Sequence, residues 1–418
     1  MPVPSNILTQ VQTYNKSNLA LLQNMHCFVA TANKMYQNFQ NLPANLGATV
    51  TFDAPPRFTT VNSLVASFEA AEQRINSLTV DQEVSTSYAF TAQNFIFNVE
   101  DYMEKFGRSA IAEIGAKIEE HVSSKILNHT YRFYGDGTSS INSYQQLATA
   151  LAYFRTYGAV ANVEAEAYLP DIAVPTIIGS GLSQFVIDRN EDIAMSWELG
   201  KFSNCKWYQT NRLPVHISGN IGNAAAAADR TLTVVSTNDP TGANITQIVC
   251  TTTDTTDANA IFENDLGAFV DGVSNRTNVR YLTWIGHSYS SAPCQIRITA
   301  SAASSGGNVT INIFPGLSSV PGKNQNINTN IVAGMKIILQ PSHRRGLITA
   351  GKPLYLAMPQ LPQQVPYPTS NEIDPATGCS MRLTYGSVFG QNTMGNIHDA
   401  IYGATLVDEY AMAMLFPL

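Results

Sequence analysis

The stretch best equipped for nucleophilic chemistry is Gly286-His287-Ser288-Tyr289-Ser290, which follows the strand-like run from Tyr281 to Ile285. A hydrolase nucleophile elbow holds its serine on a sharp strand-to-helix turn and usually carries glycine where Ser290 stands. Asp374 and His398 complete the order serine, acid, histidine, with Ser288 as attacking group and His398 as base. Against this, the segment from Cys294 to Ala300 returns at once to a strand pattern, and no βαβ series surrounds the motif. A turn in a β domain is therefore expected. A serine hydrolase using Ser288 is kept as an alternative, supported if hydrolysis is lost on Ser288→Ala.

Other residue groups point to chemistry less directly. Gly179-Ser180-Gly181 resembles a phosphate-binding turn, but Gln184 stands where the third glycine belongs, and Glu198 alone makes no ribose site. His121 and His129 are eight positions apart and lack the four-residue spacing and central glutamate of HExxH. Trp197, Trp207 and Tyr208 near Lys201 and Lys206 offer base-stacking residue types, equally suited to the edge of a core. Cys27, Cys205, Cys250, Cys294 and Cys379 are widely spaced, odd in number and without a CxxC pair, so buried thiols are expected rather than a disulfide framework or a cysteine metal site. No catalytic residue, metal or cofactor is assigned.

The elements that must position such groups follow from composition and pattern. The chain of 418 residues is 44% hydrophobic but only 13% charged, about half the usual share of about 25%. Its many Asn, Gln, Ser and Thr residues make weakly ionised surfaces compatible with extensive protein contacts. A net charge of −7 gives no support to a chain-wide grip on nucleic acid. The N-terminus lacks a signal-peptide pattern and no 18-residue apolar span occurs, so soluble synthesis inside a cell is expected, with no membrane partner.

The dominant element runs from Asp101 to about Asn128, where Phe106, Ile111, Ile114, Ile118, Val122 and Ile126 recur at helical spacing. Such a helix is roughly 40 Å long at 1.5 Å per residue, long enough to serve as a beam, with an ordinary long helix lying on one domain as the plainer reading. Before it, the run from Ala48 through Pro55-Pro56 to Val99 reads as extended chain, with a modest helical pattern upstream at Leu19, Leu22 and Met25. After it come a turn at Gly135-Asp136-Gly137, a helix from about Ser143, extended candidates at Tyr168–Pro170 and Val174–Ile178, and a helix around Leu182–Ile187. From about 215 to 340, short β-branched runs such as TLTVVS, NVTINIF and MKIILQ separated by turn residues read as a sandwich or small barrel. A mixed α/β pattern then resumes, as if the β domain were inserted.

The C-terminal stretch from Ala376 to Leu415, with Thr377-Gly378 before SMRLTYG, a second strand-like run at Asn396–Ala400, then Ile401-Tyr402-Gly403-Ala404 and Glu409, resembles the closing segment of P22-like tailed-phage major capsid (coat) proteins. His343–Leu361, closed by Pro362, looks like the strand-helix segment such coats place after their insertion. The resemblance implies an α+β, HK97-like major capsid fold. It divides the chain into an N-terminal arm (1–50), an extended E-loop region (51–100), a spine helix with part of the P domain (101–140), a mixed A/P region (141–214), an inserted β-rich I domain (215–342) and a returning A/P region (343–418).

The same resemblance implies a shell subunit, assembled in the host cytoplasm and located in the virion capsid, that encloses double-stranded DNA. Its implied partners are copies of itself in pentameric and hexameric capsomers and scaffolding and portal proteins, with room for a decoration protein and nonspecific proximity to packaged DNA. Pro55, Pro56, Phe58, Glu69 and Glu72 become intersubunit E-loop candidates; Tyr102, Phe106 and Arg108 join that loop to the helix; Arg344, Arg345, Tyr402 and Glu409 are capsomer or domain-packing candidates. The remaining alternative is a carbohydrate-binding or surface-attachment β module on an α/β body, favoured by a soluble monomer with saturable glycan binding.

Overall fold

A computed structural model of the chain describes residues 27–33, 47–54, 57–59, 73–91, 99–156, 163–179, 198–270, 279–283, 288–363, 367, 369–373, 379–387 and 393–418. The helix runs from Val99 to His129, 31 residues, or about 46 Å. Ile111, Ile114, Ile118, Val122 and Ile126 form its fully buried stripe. Ser109, Glu113, Lys117, Glu120 and Asn128 are exposed, so the polar residues occupy the complementary positions of an amphipathic helix. Two compact units divide the chain, and the boundary crosses this helix between Lys125 and Ile126.

The first unit comprises Met1–Asp53, Ile75–Lys125 and Lys352–Leu406. Its organising strand is Thr393–Leu406, of 14 residues. That strand pairs antiparallel with Gln82–Thr91, from Thr393 opposite Thr91 to Tyr402 opposite Gln82. It also pairs with Ser380–Ser387, and its last residues pair with Leu354–Ala357; Thr369–Ile373 continues beyond Ser380–Ser387. Residues 82–89 alternate between half-buried and exposed, the period of a pleated strand with one covered face. At Gly403 a Cβ would lie 2.1 Å from the Thr79 carbonyl oxygen, so this backbone approach admits only glycine.

The second unit comprises Ala54–Arg74, Ile126–Gly351 and Val407–Leu418; among its described residues it pairs Arg280–Leu282 with Tyr289–Pro293 in a two-stranded ribbon and forms two larger sheets. One is mixed and seven-stranded, in the order Phe133–Tyr134, Ala411–Phe416, His343–Ala350, Ala165–Pro170, Cys205–Thr210, Glu198–Phe202, with Val215–His216 paired to His343–Ala350. Every residue of Ala411–Phe416 and of Ala165–Pro170 is buried, as expected of strands covered on both faces. Helix Tyr144–Arg155 places Leu147, Leu151 and Phe154 in the core beside Trp207, Ile348 and Met412. Its start is held because Ser143 accepts from the Gln146 N–H at 3.3 Å while the Gln146 side chain accepts from the Asn142 N–H at 2.8 Å, a close variant of the capping box.

The other sheet has eight strands, all drawn from the continuous stretch between Thr231 and Leu339. Ile245–Thr251 pairs both with Thr231–Thr237 and with Asn308–Leu317, so six of the strands close into an antiparallel barrel, leaving no free edge within the ring. In Asn308–Leu317 the alternate residues Val309, Ile311, Ile313 and Leu317 are buried and fill the barrel with Leu232, Val234, Phe269, Ile296 and Ile337.

Two local expectations are corrected. Val174–Gly179 is a short helix, not a strand: the β-branched run misleads, whereas Pro175 in its first turn needs no intrahelical N–H partner. After His343–Ala350 comes no helix but a second strand, Leu354–Ala357. Gly351 and Lys352 both adopt left-handed backbone, with φ of 72° and 55°, which interrupts any helix, while Pro353, Pro359 and Pro362 exclude a helix interior. The expected helices near Leu19–Met25 and Leu182–Ile187 lie outside the described residues.

Candidate functional site

The described groups that first suggested catalysis each have other surroundings. Ser288 directly precedes the strand Tyr289–Pro293, which pairs with Arg280–Leu282, so no helix follows it as an elbow requires. Its hydroxyl pairs with that of Thr283 at 3.0 Å. His398 is fully buried in the first unit, where its ring stacks on Tyr88 with centroids 5.8 Å apart; burial pushes its pKa down to about 4. Gly286, His287 and Asp374 lie outside the described residues. His121, half-buried 3.5 Å from the Asp81 carboxylate, packs edge-on to Tyr402. Among the described residues no group of three or more His, Cys, Asp or Glu could hold a metal ion.

Trp207 and Tyr208 are buried strand residues, Tyr208 against Tyr168, and present no stacking platform; Trp197 lies outside the described residues. Lys201 instead pairs with Glu164 at 2.6 Å. All five cysteines are free and buried, and burial pushes the thiols of Cys205, Cys250 and Cys294 up, so they stay protonated and inert.

What the fold does assemble is a set of buried charges that tie distant segments together. Glu409 lies in the turn Asp408–Tyr410 that leads into Ala411–Phe416. Its Oε1 accepts from the guanidinium groups of both Arg57 and Arg74, while the fully buried Arg132 donates to its backbone carbonyl at 3.2 Å. Arg132 is itself fixed by the hydroxyls of Tyr131 and Tyr281 at 3.0 and 3.2 Å. Burial alone would raise the Glu409 carboxyl, but the hydrogen bond from Arg74 and the charges of Arg57 and Arg74 outweigh it and hold the carboxyl below its ordinary value. The two arginines differ: burial dominates at Arg57 and lowers its pKa, whereas Arg74 gains enough from Glu409 to be raised. Next to them, burial pushes the Asp408 carboxyl up.

A second node centres on Arg345, fully buried in the same unit. It donates to the Leu127 carbonyl at 3.1 Å, the Thr130 hydroxyl at 3.3 Å, the Asn264 carbonyl at 2.9 Å and His343 Nε2 at 3.3 Å. Leu127 is in the last turn of the long helix, so Arg345 satisfies a carbonyl the helix cannot. With burial as the main cause, its pKa falls to about 9. His343 Nδ1 pairs with the Pro341 carbonyl at 2.7 Å, which requires the proton there and leaves Nε2 free to accept from Arg345. Beside it His216 meets Asp265 at 2.7 Å, and Asp265 also accepts the N–H groups of Gly219 and Phe262. These contacts brace both connections between barrel and sheet.

In the first unit, Arg382 and Asp399 face each other across paired strands and form a buried ion pair, and Tyr402 donates to the Lys117 carbonyl at 3.4 Å. Glu119, 1% exposed, accepts the N–H groups of Phe28 and Val29 at 2.6 and 3.2 Å and so anchors the short helix Cys27–Thr31.

Of the sequence-predicted contact residues, Arg345 and Tyr402 are thus buried joints, Glu409 is the acceptor of an ion-pair cluster, Arg344 is half-buried and pairs in the strand with Val215 and Phe416, and Phe58 is 55% exposed. Pro55, Pro56, Glu69 and Glu72 lie outside the described residues, as do the side chains of Tyr102, Phe106 and Arg108. Sequence reasoning missed Arg57, Arg74, Arg132, Glu119, Asp265 and the Arg382–Asp399 pair. Glu119 alone carried a signal: it stands beside Ile118 and three before Val122, a carboxylate on the buried face that must find donors.

No protein-family profile matches the chain, and no curated protein matches it. Among solved structures it overlays on the capsid of Ralstonia phage GP4 with 8% identity and a TM-score of 0.45, covering 94% of this chain and 91% of that one. It overlays on a chain of Mycobacterium phage Che8 with 9% identity and a TM-score of 0.44, covering 93% and 91%, and on a virus-like particle from Pyrococcus furiosus with 6% identity and a TM-score of 0.38, covering 96% and 99%. At TM-scores below 0.5, none of these overlays assigns a role to this chain.

Proposed function

We propose that this chain is the major capsid protein of a tailed phage of the P22-like group, a noncatalytic subunit that assembles with itself into an icosahedral shell around double-stranded DNA. The observation that carries the reading is the order of its elements: paired extended strands, one long helix shared by two compact units, a mixed sheet, a barrel drawn from one continuous stretch, and a C-terminal return that contributes strands to both units. That order matches what the C-terminal resemblance implies, with Thr393–Leu406 and Ala411–Phe416 as the returning strands.

On this reading Val99–His129 is the spine helix, the Thr49–Thr91 ribbons belong to the E-loop region, and the barrel is the inserted I domain. Scaffolding protein brings subunits into a precursor shell, a portal occupies one vertex, and noncovalent contacts repeated by symmetry hold pentamers and hexamers together. Phe58, exposed beside Arg57, is the described E-loop residue best placed for a neighbouring subunit, because a few apolar anchors contribute more than exposed ion pairs.

Purification followed by electron microscopy tests the reading. Closed shells, or capsomer rings that close when the cognate scaffold is added, are expected. A chain that stays monomeric with that scaffold present overturns it.

A further inference from the structure

We propose that the outer face of the barrel carries a binding groove for an acidic carbohydrate. Strand pairing sets four side chains in one row: Thr251 lies opposite Thr233, Thr233 opposite Lys336 and Lys336 opposite Val270. The alternate residues Leu232, Val234, Ile337 and Leu339 fill the barrel, so the pleat turns the row outward. Thr231 and Ile338 face each other in the adjacent row. Together with the Thr252-Thr253 turn, these residues line a groove of about 470 Å³.

The chemistry of the lining selects the ligand. Adjacent strands stand about 4.8 Å apart, so the row from Thr251 to Val270 spans roughly 14 Å, enough for a short oligosaccharide. Val270 and Ile338 give an aliphatic floor for the C–H face of a sugar ring. The Thr231 and Thr251 hydroxyls donate to the carbonyls of Ala227 and Thr233 at 2.9 and 3.4 Å and keep lone pairs for sugar hydroxyl donors. The Thr233 and Thr253 hydroxyls make no hydrogen bond among the described residues and can do either.

Among the described residues Lys336 forms no ion pair and no carboxylate lines the groove, although the chain as a whole carries −7. One ammonium among hydroxyls fits a single carboxylate on a sugar. A nucleic-acid strand needs several cations and an aromatic platform, and the described lining has one lysine and no aromatic ring.

The test is a titration of the full-length chain with tetragalacturonate, with neutral maltotetraose and inorganic polyphosphate run in parallel. Binding is read by saturation-transfer NMR on the ligand, and folding by circular dichroism. Saturable binding of tetragalacturonate is expected, about tenfold tighter than maltotetraose. Lys336→Gln and Thr233→Val are each expected to weaken it at least fivefold or so, in line with loss of a hydrogen bond to a charged or hydroxyl partner, with unchanged circular dichroism because both positions face outward. The proposal is overturned if tetragalacturonate does not saturate, if both variants bind it as well as the wild type, or if polyphosphate binds more tightly. Shell formation does not enter the readout, so this result and that of the electron microscopy stand separately.

Discussion

Arg345 donates to the Leu127 carbonyl at 3.1 Å, so the second-unit strand His343–Ala350 closes the last turn of a helix 218 positions earlier in the chain. Because the same guanidinium also holds Asn264 and Thr130, its removal leaves several buried acceptors without donors. Each such acceptor costs about 1–3 kcal/mol. Arg345→Ala is expected to lower the free energy of unfolding in urea by roughly 3–5 kcal/mol. Arg345→Lys should fall between the two, since a point ammonium cannot span acceptors on three elements. An alanine variant within about 0.5 kcal/mol of the wild type would show that water replaces the arginine.

The long helix was legible because its stripe is periodic over many turns, and the barrel strands because β-branched alternation is unambiguous in runs such as that from Val309 to Ile313. The short helix at Val174 and the strand at Leu354 were not: the β-branched run after Val174 hides a helix with Pro175 in its first turn, and the apolar run from Leu354 does not show the left-handed backbone of Gly351 and Lys352 that precedes it. The site was less legible still. Glu409 was singled out by its place in a motif, but Arg57 and Arg74 are 352 and 335 positions away, and no local spacing encodes a pairing of that kind. His216 and Asp265 likewise meet only because the barrel connections cross there.

Glu119 reaches the N–H groups of Phe28 and Val29 from the buried face of the helix. Glu119→Ala is expected to destabilise by about 1–3 kcal/mol, the cost of leaving buried donors unpaired, and Glu119→Gln by less, because its amide oxygen still accepts. Hydrogen exchange at the amides of Phe28 and Val29 is the direct measurement. Exchange there should accelerate in the alanine variant while the amides of Ile118 and Val122 hold. Unchanged protection at Phe28 and Val29 counts against the anchor.

Two histidines set an acid limit. Burial lowers His398 to about 4 and His343 to about 2, against an unfolded value of about 6.5. Both are neutral in the folded chain at pH 5 and protonated once it unfolds, so unfolding takes up close to two protons there. Stability is therefore complete above the unfolded value and falls as pH drops below it, by up to about 2.7 kcal/mol per pH unit near pH 5. Urea midpoints measured from pH 7.5 to 4.5 should show this fall. His398→Phe should remove about half of the slope, and a variant with the full slope would mean that His398 is already protonated in the fold.

Glu409 is the remaining case, and here the arrangement itself predicts an asymmetry. One carboxylate oxygen serves two guanidinium groups, of which Arg74 is the more exposed, 31% against 13% for Arg57. At the Glu409 carboxyl the hydrogen bond from Arg74 outweighs the charge of Arg57, so the favourable coupling belongs mainly to Arg74. Double-mutant cycles with Glu409→Gln should give about 1–2 kcal/mol with Arg74→Gln and less with Arg57→Gln. Because the Glu409 carboxyl is held low, its contribution is present above the unfolded carboxyl value of about 4.3 and is lost as pH falls through the lower folded value. Removing Arg74 should shift that loss to higher pH. If Arg57 shows the larger coupling, then its more buried setting strengthens its interaction beyond that of Arg74, and the order of the two contributions is reversed.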